Sequence, residues 1–376
     1  MIDISDLHSY FPLFLFFTSV IISLIVTPIV SKIATVKHMV VKPNARTSHE
    51  GEIPNIGGIA IFLATIISVL LFCSWRTASI NFVLLGASLI LATGFIDDIL
   101  RIQPYQKMIG QFVALFSLIV MGNIRIESFH GIFWINELPL CTIGIYEVPL
   151  WSYLFSFFAA IVIINSINLI DGIDGLASGM VAVLSLFVGA YFYHSNATEV
   201  AFIAFALSGA LWVFFCYNVF GKSTKLFMGD SGSLLCGFFV AYFLFSFLDI
   251  NLGSSEFRAD YPFSSVPAIA ISSIAVPLFD TLRVFIFRAM KKQSPLRADK
   301  NHIHHHLINL LGIKHHLKAS SIMVGANVLF LLIALLLSSY KLSNLLIIAL
   351  NFAIALILMQ LLLFFEKRKK RAESNE

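Results

Sequence analysis

Residues 151–175 read WSYLFSFFAAIVIINSINLIDGIDG. The stretch 151–166 is apolar, carries no charge and does not alternate, which excludes a barrel strand and predicts a helix in lipid or in a fully apolar core. The stretch then closes on Asp171-Gly172-Ile173-Asp174-Gly175, two carboxylates three residues apart among glycines. An apolar helix that delivers acidic groups at its end is the pattern that the rest of the chain repeats. The 376 residues are 58% hydrophobic and only 12% charged, with a mean hydropathy of +0.89. Soluble domains carry roughly a quarter charged residues, and disorder needs low hydrophobicity, so both classes are excluded. Cys73, Cys141, Cys216 and Cys236 are scattered without a CxxC pair and read as small hydrophobes.

A membrane-spanning helix takes about 20 mostly apolar residues. Eleven runs approach that length: 11–31, 56–74, 80–96, 108–122, 151–166, 175–193, 199–219, 233–249, 266–288, 321–339 and 343–365. The expected fold class is therefore all-α, a polytopic membrane protein of about eleven helices. Its organisation reads as one integral membrane domain over 1–366 and a basic tail over 367–376. The first run is too long for a secretory signal and lacks a basic segment before it. Sorting Lys and Arg by alternate loops puts 20 on one side, including Lys367–Arg371, and four (Arg76, Arg125, Arg258, Lys341) on the other. By the positive-inside rule the N-terminus is outside and the C-terminus cytoplasmic. The basic tail reads as a flank touching anionic lipid, and the net charge of +4 requires no nucleic acid.

The unusual polar groups all fall on the basic side. They are Pro54-Asn55-Ile56-Gly57-Gly58, Asp97-Asp98, Asn168 to Gly175, Met228-Gly229-Asp230-Ser231-Gly232, and Asn301-His302-Ile303-His304-His305-His306. An aspartate at the bilayer centre costs about 2.5–3.5 kcal/mol, so Asp97, Asp98, Asp171, Asp174 and Asp230 must sit at helix ends facing a wet cleft. Glu127, Glu137 and Glu147 are isolated on the other side and read as solvated. Carboxylates and an asparagine suit Mg²⁺, which keeps sites for water and substrate phosphates. Lysine and histidine around them supply positive charge for phosphate oxygens, and together these groups are what phosphoryl transfer needs. Each motif alone has a plain structural reading: a boundary pair for Asp97-Asp98, a turn for Met228–Gly232, a surface loop or a Zn²⁺ site for the histidines. Asp280 and Arg283 read as an i,i+3 ion pair.

These motifs, in this order over about Lys42 to His306, resemble the polyprenyl-phosphate N-acetylhexosamine-1-phosphate transferases (glycosyltransferase family 4). The resemblance implies that a UDP-amino sugar passes its sugar 1-phosphate to undecaprenyl phosphate at the cytoplasmic face of a bacterial inner membrane, with UMP as co-product, as a first membrane step of cell-wall or O-antigen glycan synthesis. It implies Asn168 and Asp230 as ligands of Mg²⁺ (Mn²⁺ as alternative), and Asp97 and Asp98 as the catalytic pair that positions or deprotonates the lipid phosphate. Lys107 corresponds to a phosphate-binding lysine. The resemblance also implies that Asp171 and Asp174 line the nucleotide pocket, that Asn218 and Phe227 contact uridine, and that His302, His304 and His305 contact diphosphate or sugar, with His306 extending the run. Asp299-Lys300-Asn301-His302-Ile303-His304-His305 and the count of spans resemble the N-acetylglucosamine-type enzymes, not the peptidoglycan phospho-N-acetylmuramoyl-pentapeptide transferase, which stands as the alternative. The expected partners are a UDP-amino sugar, undecaprenyl phosphate and the bilayer, with no nucleic acid and a homodimer left open. Two other classes compete: a cation or proton transporter built on the membrane carboxylates, and a zinc hydrolase built on the histidines.

Overall fold

The computed structural model describes residues 4–41, 53–72, 78–135, 137–143, 146–222, 224–251, 263–292, 301–312 and 315–373. Thirteen α-helices dominate them: α1 Ile4–Val36, α2 Gly57–Phe72, α3 Ala78–Leu100, α4 Pro104–Phe116, α5 Leu150–Ile170, α6 Leu176–His194, α7 Thr198–Phe220, α8 Gly229–Ile250, α9 Val266–Ser272, α10 Ala275–Met290, α11 Ile303–Leu311, α12 His316–Ser339 and α13 Asn344–Glu373. A π-helical turn, Ser117–Met121, prolongs α4. Two short antiparallel hairpins, Val40–Val41 with Ile53–Pro54 and Cys141–Ile143 with Tyr146–Val148, are the strands among the described residues. The protein is thus nearly all-α, as the runs of apolar residues predict.

Eight of the helices are long and apolar enough to cross a membrane, and a ninth crossing arises if α9 and α10, bent by 75°, count as one. The remaining two sequence runs fall on α2, which is 16 residues long, and on α4 with its π-helical extension. Lys42, Arg46, Cys73, Arg76, Glu137's neighbour at 136, Arg258, Asp299 and Lys300 lie outside the described residues.

Helix α8 forms the centre. It is apolar all round, and Phe238, Phe239, Phe243, Phe245 and Phe247 are among the largest fully buried side chains. Helices α6 and α7 are also mostly buried, whereas α1 and α13 present Phe, Leu and Ile outward. Without water to drive helix association in lipid, small residues and buried hydroxyls do much of the joining. Ser19 Oγ donates to the Ala206 carbonyl at 2.6 Å and Ser208 Oγ to Ala182 at 2.9 Å. At Gly58 any Cβ would collide with the backbone of Ser231 and Gly232, so the start of α2 can lie directly on the start of α8.

The break between α9 and α10 differs from the single continuous run read from 266–288. Its loose backbone groups are met by Asn327 of α12, whose amide donates to Ser273 O at 2.6 Å and accepts from Val276 N at 3.1 Å. Irregular backbone at membrane depth needs such partners. The histidine segment is a second correction. It is not a loop: His302 precedes α11, and Ile303 to His306 form its first turn. The basic run Lys367–Arg371 likewise continues the helix α13.

Candidate active site

The ends of α3, α5, α7 and α13 and the starts of α2, α4, α6, α8, α11 and α12 meet at one end of the bundle. Asp97 and Asp98 sit in the last turn of α3. Asp98 accepts hydrogen bonds from the backbone amides of Asp230 (2.8 Å) and Ser231 (3.0 Å), and from Asn55 Nδ2 (2.9 Å). It therefore caps the N-terminus of α8, where orphan amides and the helix dipole favour a negative charge. Gly229, at φ +71°, makes the approach feasible: a Cβ there would lie 2.5 Å from Asn55 O and 2.6 Å from Asp98 Oδ2.

Asp97 turns the other way. Its Oδ1 accepts from Ile102 N at 3.0 Å and its Oδ2 lies 3.1 Å from Lys107 Nζ. Lys107, in the first turns of α4, also pairs with Asp230 Oδ1. The same Asp230 oxygen accepts from Asn168 Nδ2 at 2.6 Å, and that amide also donates to Ser233 Oγ at 2.7 Å. Asn168 and Asp230, 62 residues apart, are thus in direct contact, with Lys107 beside them.

Asp171 and Asp174 occupy the turn from α5 to α6 but face different surroundings. Asp171 has no side-chain hydrogen bond or ion pair among the described residues. Burial first, then the charges of Asp230, Asp98 and Asp174, push its carboxyl up to about 8. Asp174 binds Lys225 Nζ at 2.7 Å and His316 Nδ1 at 3.4 Å. Burial alone would raise its pKa, but the bonds from His316 and Lys225 outweigh that and hold it below the usual carboxylate range. Lys225 also stands over the half-buried Phe227 ring, 5.7 Å from its centroid. Asn218 is spent on the backbone: it accepts from Gly175 N at 2.7 Å and donates to Leu226 O at 3.0 Å. It braces the turn of α6 against the segment that carries Phe227.

The histidines close the cluster. His302 Nδ1 lies 2.8 Å from Asp280 Oδ2, while Asp280 Oδ1 accepts from Ile303 N and from Arg283, each at 3.0 Å. The expected Asp280–Arg283 pair forms, and it also anchors the histidine segment. His304 is buried against Gly172, where any Cβ would collide with its imidazole. Its ring stacks parallel to that of His302 at 5.6 Å and tilts over His305 at 4.3 Å. Burial, then the neighbouring His305, lowers the His304 pKa to about 3, so the ring is neutral, and its Nδ1 has no hydrogen-bond partner among the described residues.

All twelve residues singled out from the sequence are thus brought to one end of the molecule. Asn55, Ser233 and Lys225 join them; the first stood inside a quoted motif and the second directly follows one, and only their side-chain partners were hidden. Asp280 was marked only as the partner of Arg283, and His316 and Glu366 carried no motif that could have marked their contacts.

The donor set fits a hard divalent cation. Asp171 is an unpartnered carboxylate among the charges of Asp230, Asp98 and Asp174, Asp230 is in contact with Asn168, and oxygen donors of this kind suit magnesium. Among the described residues no three His, Cys, Asp or Glu side chains are grouped as a metal site, and magnesium usually takes only one or two ligands from the protein, leaving the rest to water and substrate phosphates. One outcome follows for stability. The Asp171 carboxyl ionises near 3.8 when unfolded and near 8 when folded. Between those values the folded state holds the extra proton, so this group makes unfolding easier as pH rises. In EDTA, Asp171→Asn should melt at a higher temperature than the parent at pH 8 and at a similar one near pH 4. Thermal unfolding at the two pH values checks this, and an unchanged difference would remove Asp171 from the charge cluster.

Comparison with known proteins points to one family. The sequence model of glycosyl transferase family 4 matches residues 80–247. The undecaprenyl-phosphate alpha-N-acetylglucosaminyl 1-phosphate transferase of Escherichia coli (strain K12) is 30% identical over 305 residues, 81% of this chain and 75% of its own length. The enzyme of the same name from Salmonella typhimurium is 30% identical over 276 residues, covering 73% and 70%. A probable undecaprenyl-phosphate N-acetylglucosaminyl 1-phosphate transferase of Bacillus subtilis (strain 168) is 29% identical over 300 residues, covering 80% and 78%.

Proposed function

The chain belongs to glycosyl transferase family 4 and is a multi-pass membrane phosphotransferase, and on that premise we propose that it transfers N-acetylglucosamine 1-phosphate from UDP-N-acetylglucosamine to undecaprenyl phosphate. A phosphate oxygen of the lipid attacks the sugar-bearing phosphorus of the donor. The bond from that phosphorus to the bridging oxygen breaks, and UMP leaves with that oxygen. One diphosphate replaces another, so the exchange is close to neutral and needs no further energy source. Such a reaction opens a membrane-bound stage of cell-envelope glycan synthesis.

The observation that carries this reading is the direct contact of Asn168, Asp230 and Lys107 at the ends of three helices far apart in sequence. Asn168 and Asp230 are the residues that would hold magnesium, with manganese as alternative, and the ion supplies positive charge to the diphosphate as it is exchanged. Lys107, already balanced between Asp97 and Asp230, turns its ammonium to phosphate oxygens when they enter. Asp97 receives and orients the lipid phosphate beside Lys107, whereas Asp98 acts by fixing the start of α8. The neutral His304 offers Nδ1, and with His302 and His305 it faces the diphosphate and sugar. Lys225 and Asp174 frame the uridine against Phe227, and Asn218 supports that pocket from beneath.

We assign eleven crossings, with α2, extended α4 and the α9–α10 pair added to the eight long helices. The N-terminus lies outside, the C-terminus and the site in the cytoplasm of a bacterial cell, by the asymmetry of Lys and Arg. A donor panel tests the sugar. Purified protein with Mg²⁺ and undecaprenyl phosphate should release UMP fastest from UDP-N-acetylglucosamine. Faster release from UDP-N-acetylgalactosamine reassigns the sugar, and release only from UDP-N-acetylmuramoyl-pentapeptide returns the peptidoglycan alternative.

A further inference from the structure

The last helix reaches back into the site. Helix α11, Ile303–Leu311, is nine residues long. Isolated helices shorter than about 12–15 residues are marginal, so α11 depends on what holds it. Its start is held by Asp280, which accepts from Ile303 N at 3.0 Å. Beyond its first turn, polar attachments come from α13, while α12 packs against it as well. Glu366, buried, accepts from Asn309 Nδ2 at 3.1 Å through Oε1 and lies 2.8 Å from His306 Nδ1 through Oε2. His306 and Asn309, three apart, share one face of α11, so both oxygens of one carboxylate grip that face. Lys370, one turn further along α13, lies 2.8 Å from Glu366 Oε1 and holds the carboxylate in place. Lys369 Nζ donates to the carbonyls of Asn309 and Leu310 at 3.1 Å each, where the final carbonyls of α11 would otherwise lack partners. The opposite face of α11 buries His304 and Leu307 and lays His304 on Gly172.

From this geometry we infer that Glu366 is a positioning residue: by gripping His306 and Asn309 it sets the rotation of α11 and thereby the aim of His304 and His305 into the site. The inference rests on the transferase reading only for its kinetic consequence. The basic end of α13 is then part of the active-site frame as well as a flank at the lipid surface. Outer partners that orient metal-ligating histidines are commonly worth about 10–100-fold in activity, and the lower end of that range is expected for histidines that face phosphate. Removing this one should act on the chemical step, because the donor's uridine is framed elsewhere, by Lys225, Asp174 and Phe227.

The test uses full-length protein in detergent or lipid. Glu366→Ala should lower kcat by about tenfold, with the KM for the UDP-sugar changed less than about twofold. Glu366→Gln, which keeps an acceptor for Asn309, should recover most of that loss. His306→Ala combined with Glu366→Ala should lose no more than the larger single change, because residues that act through one contact are not additive. Hydrogen exchange gives a readout without turnover: amides of residues 303–311 should exchange faster in Glu366→Ala while those of α6 and α8 do not. Unchanged exchange in α11, or additive losses with His306→Ala, overturns the inference. So does a fall in kcat matched by Glu366→Gln with α11 still protected. Should Glu366→Ala fail to fold, Lys370→Ala, which frees the carboxylate from an exposed partner, must show the same exchange pattern in α11 or the inference is wrong. A parent protein that releases no UMP from any UDP-amino sugar counts against the transferase reading, and the exchange result still decides this one.

Discussion

Asp230→Ala is expected to lower turnover by about a thousandfold or more while leaving the fold intact. Removing one preorganised charge-stabilising group from an active site typically costs about 10²–10³ in rate, and Asp230 serves as more than one group. Its carboxylate faces Lys107 and Asn168, and it is one of two oxygen donors assigned to the metal. Without it, Lys107 keeps only Asp97, at 3.1 Å, and Asn168 keeps Ser233. The start of α8 does not depend on the Asp230 side chain, because Asp98 binds the backbone amides of residues 230 and 231. The melting temperature should therefore move little. UMP release and thermal unfolding on the same preparation check both halves, and near-normal turnover would take Asp230 out of the site.

Asp98→Ala should fail differently, losing at least about a hundredfold in rate together with several degrees of melting temperature. Three donors lose their acceptor at once: two backbone amides of α8 and Asn55 Nδ2. A buried donor left unsatisfied costs about 1–3 kcal/mol. Asp98→Asn should fall between, since its amide oxygen can still meet one of them. Asp97→Asn provides the contrast. It weakens the hold on Lys107 without touching α8, so activity should fall with little change in stability. If Asp98→Asn loses all activity at an unchanged melting temperature, Asp98 works as a proton acceptor and not as a cap.

The helices were legible because membrane helices are specified by length and apolarity alone, and among the described residues each of the eleven runs falls mainly on helical backbone. The break at 272–275 was not legible, since its support, Asn327, lies about fifty residues further on in another helix. The histidine segment read as a loop for a related reason: nine residues carry too little helical preference by themselves, and the contacts that settle the matter come from Glu366 and Lys369. In the site, residue types and their common membrane face could be read from the sequence, and the family resemblance supplied roles. Partnerships could not be read. Nothing in the chain announces that Asp97 and Asp98, adjacent in sequence, divide their work between Lys107 and the first turn of α8. Nor does it show that Asn218 spends its amide on Gly175 and Leu226.

The Asn168–Asp230–Lys107 contact is proposed as the heart of a metal-assisted phosphoryl exchange. Purified protein incubated with undecaprenyl phosphate and UDP-N-acetylglucosamine, with Mg²⁺ or with EDTA, decides this when UMP and the lipid product are followed together by mass spectrometry. Equal amounts of UMP and undecaprenyl-diphospho-N-acetylglucosamine are expected with Mg²⁺, and neither with EDTA or in Asn168→Ala. Formation of both products at the same rate in EDTA, or in Asn168→Ala, would remove the metal and this contact from the reaction.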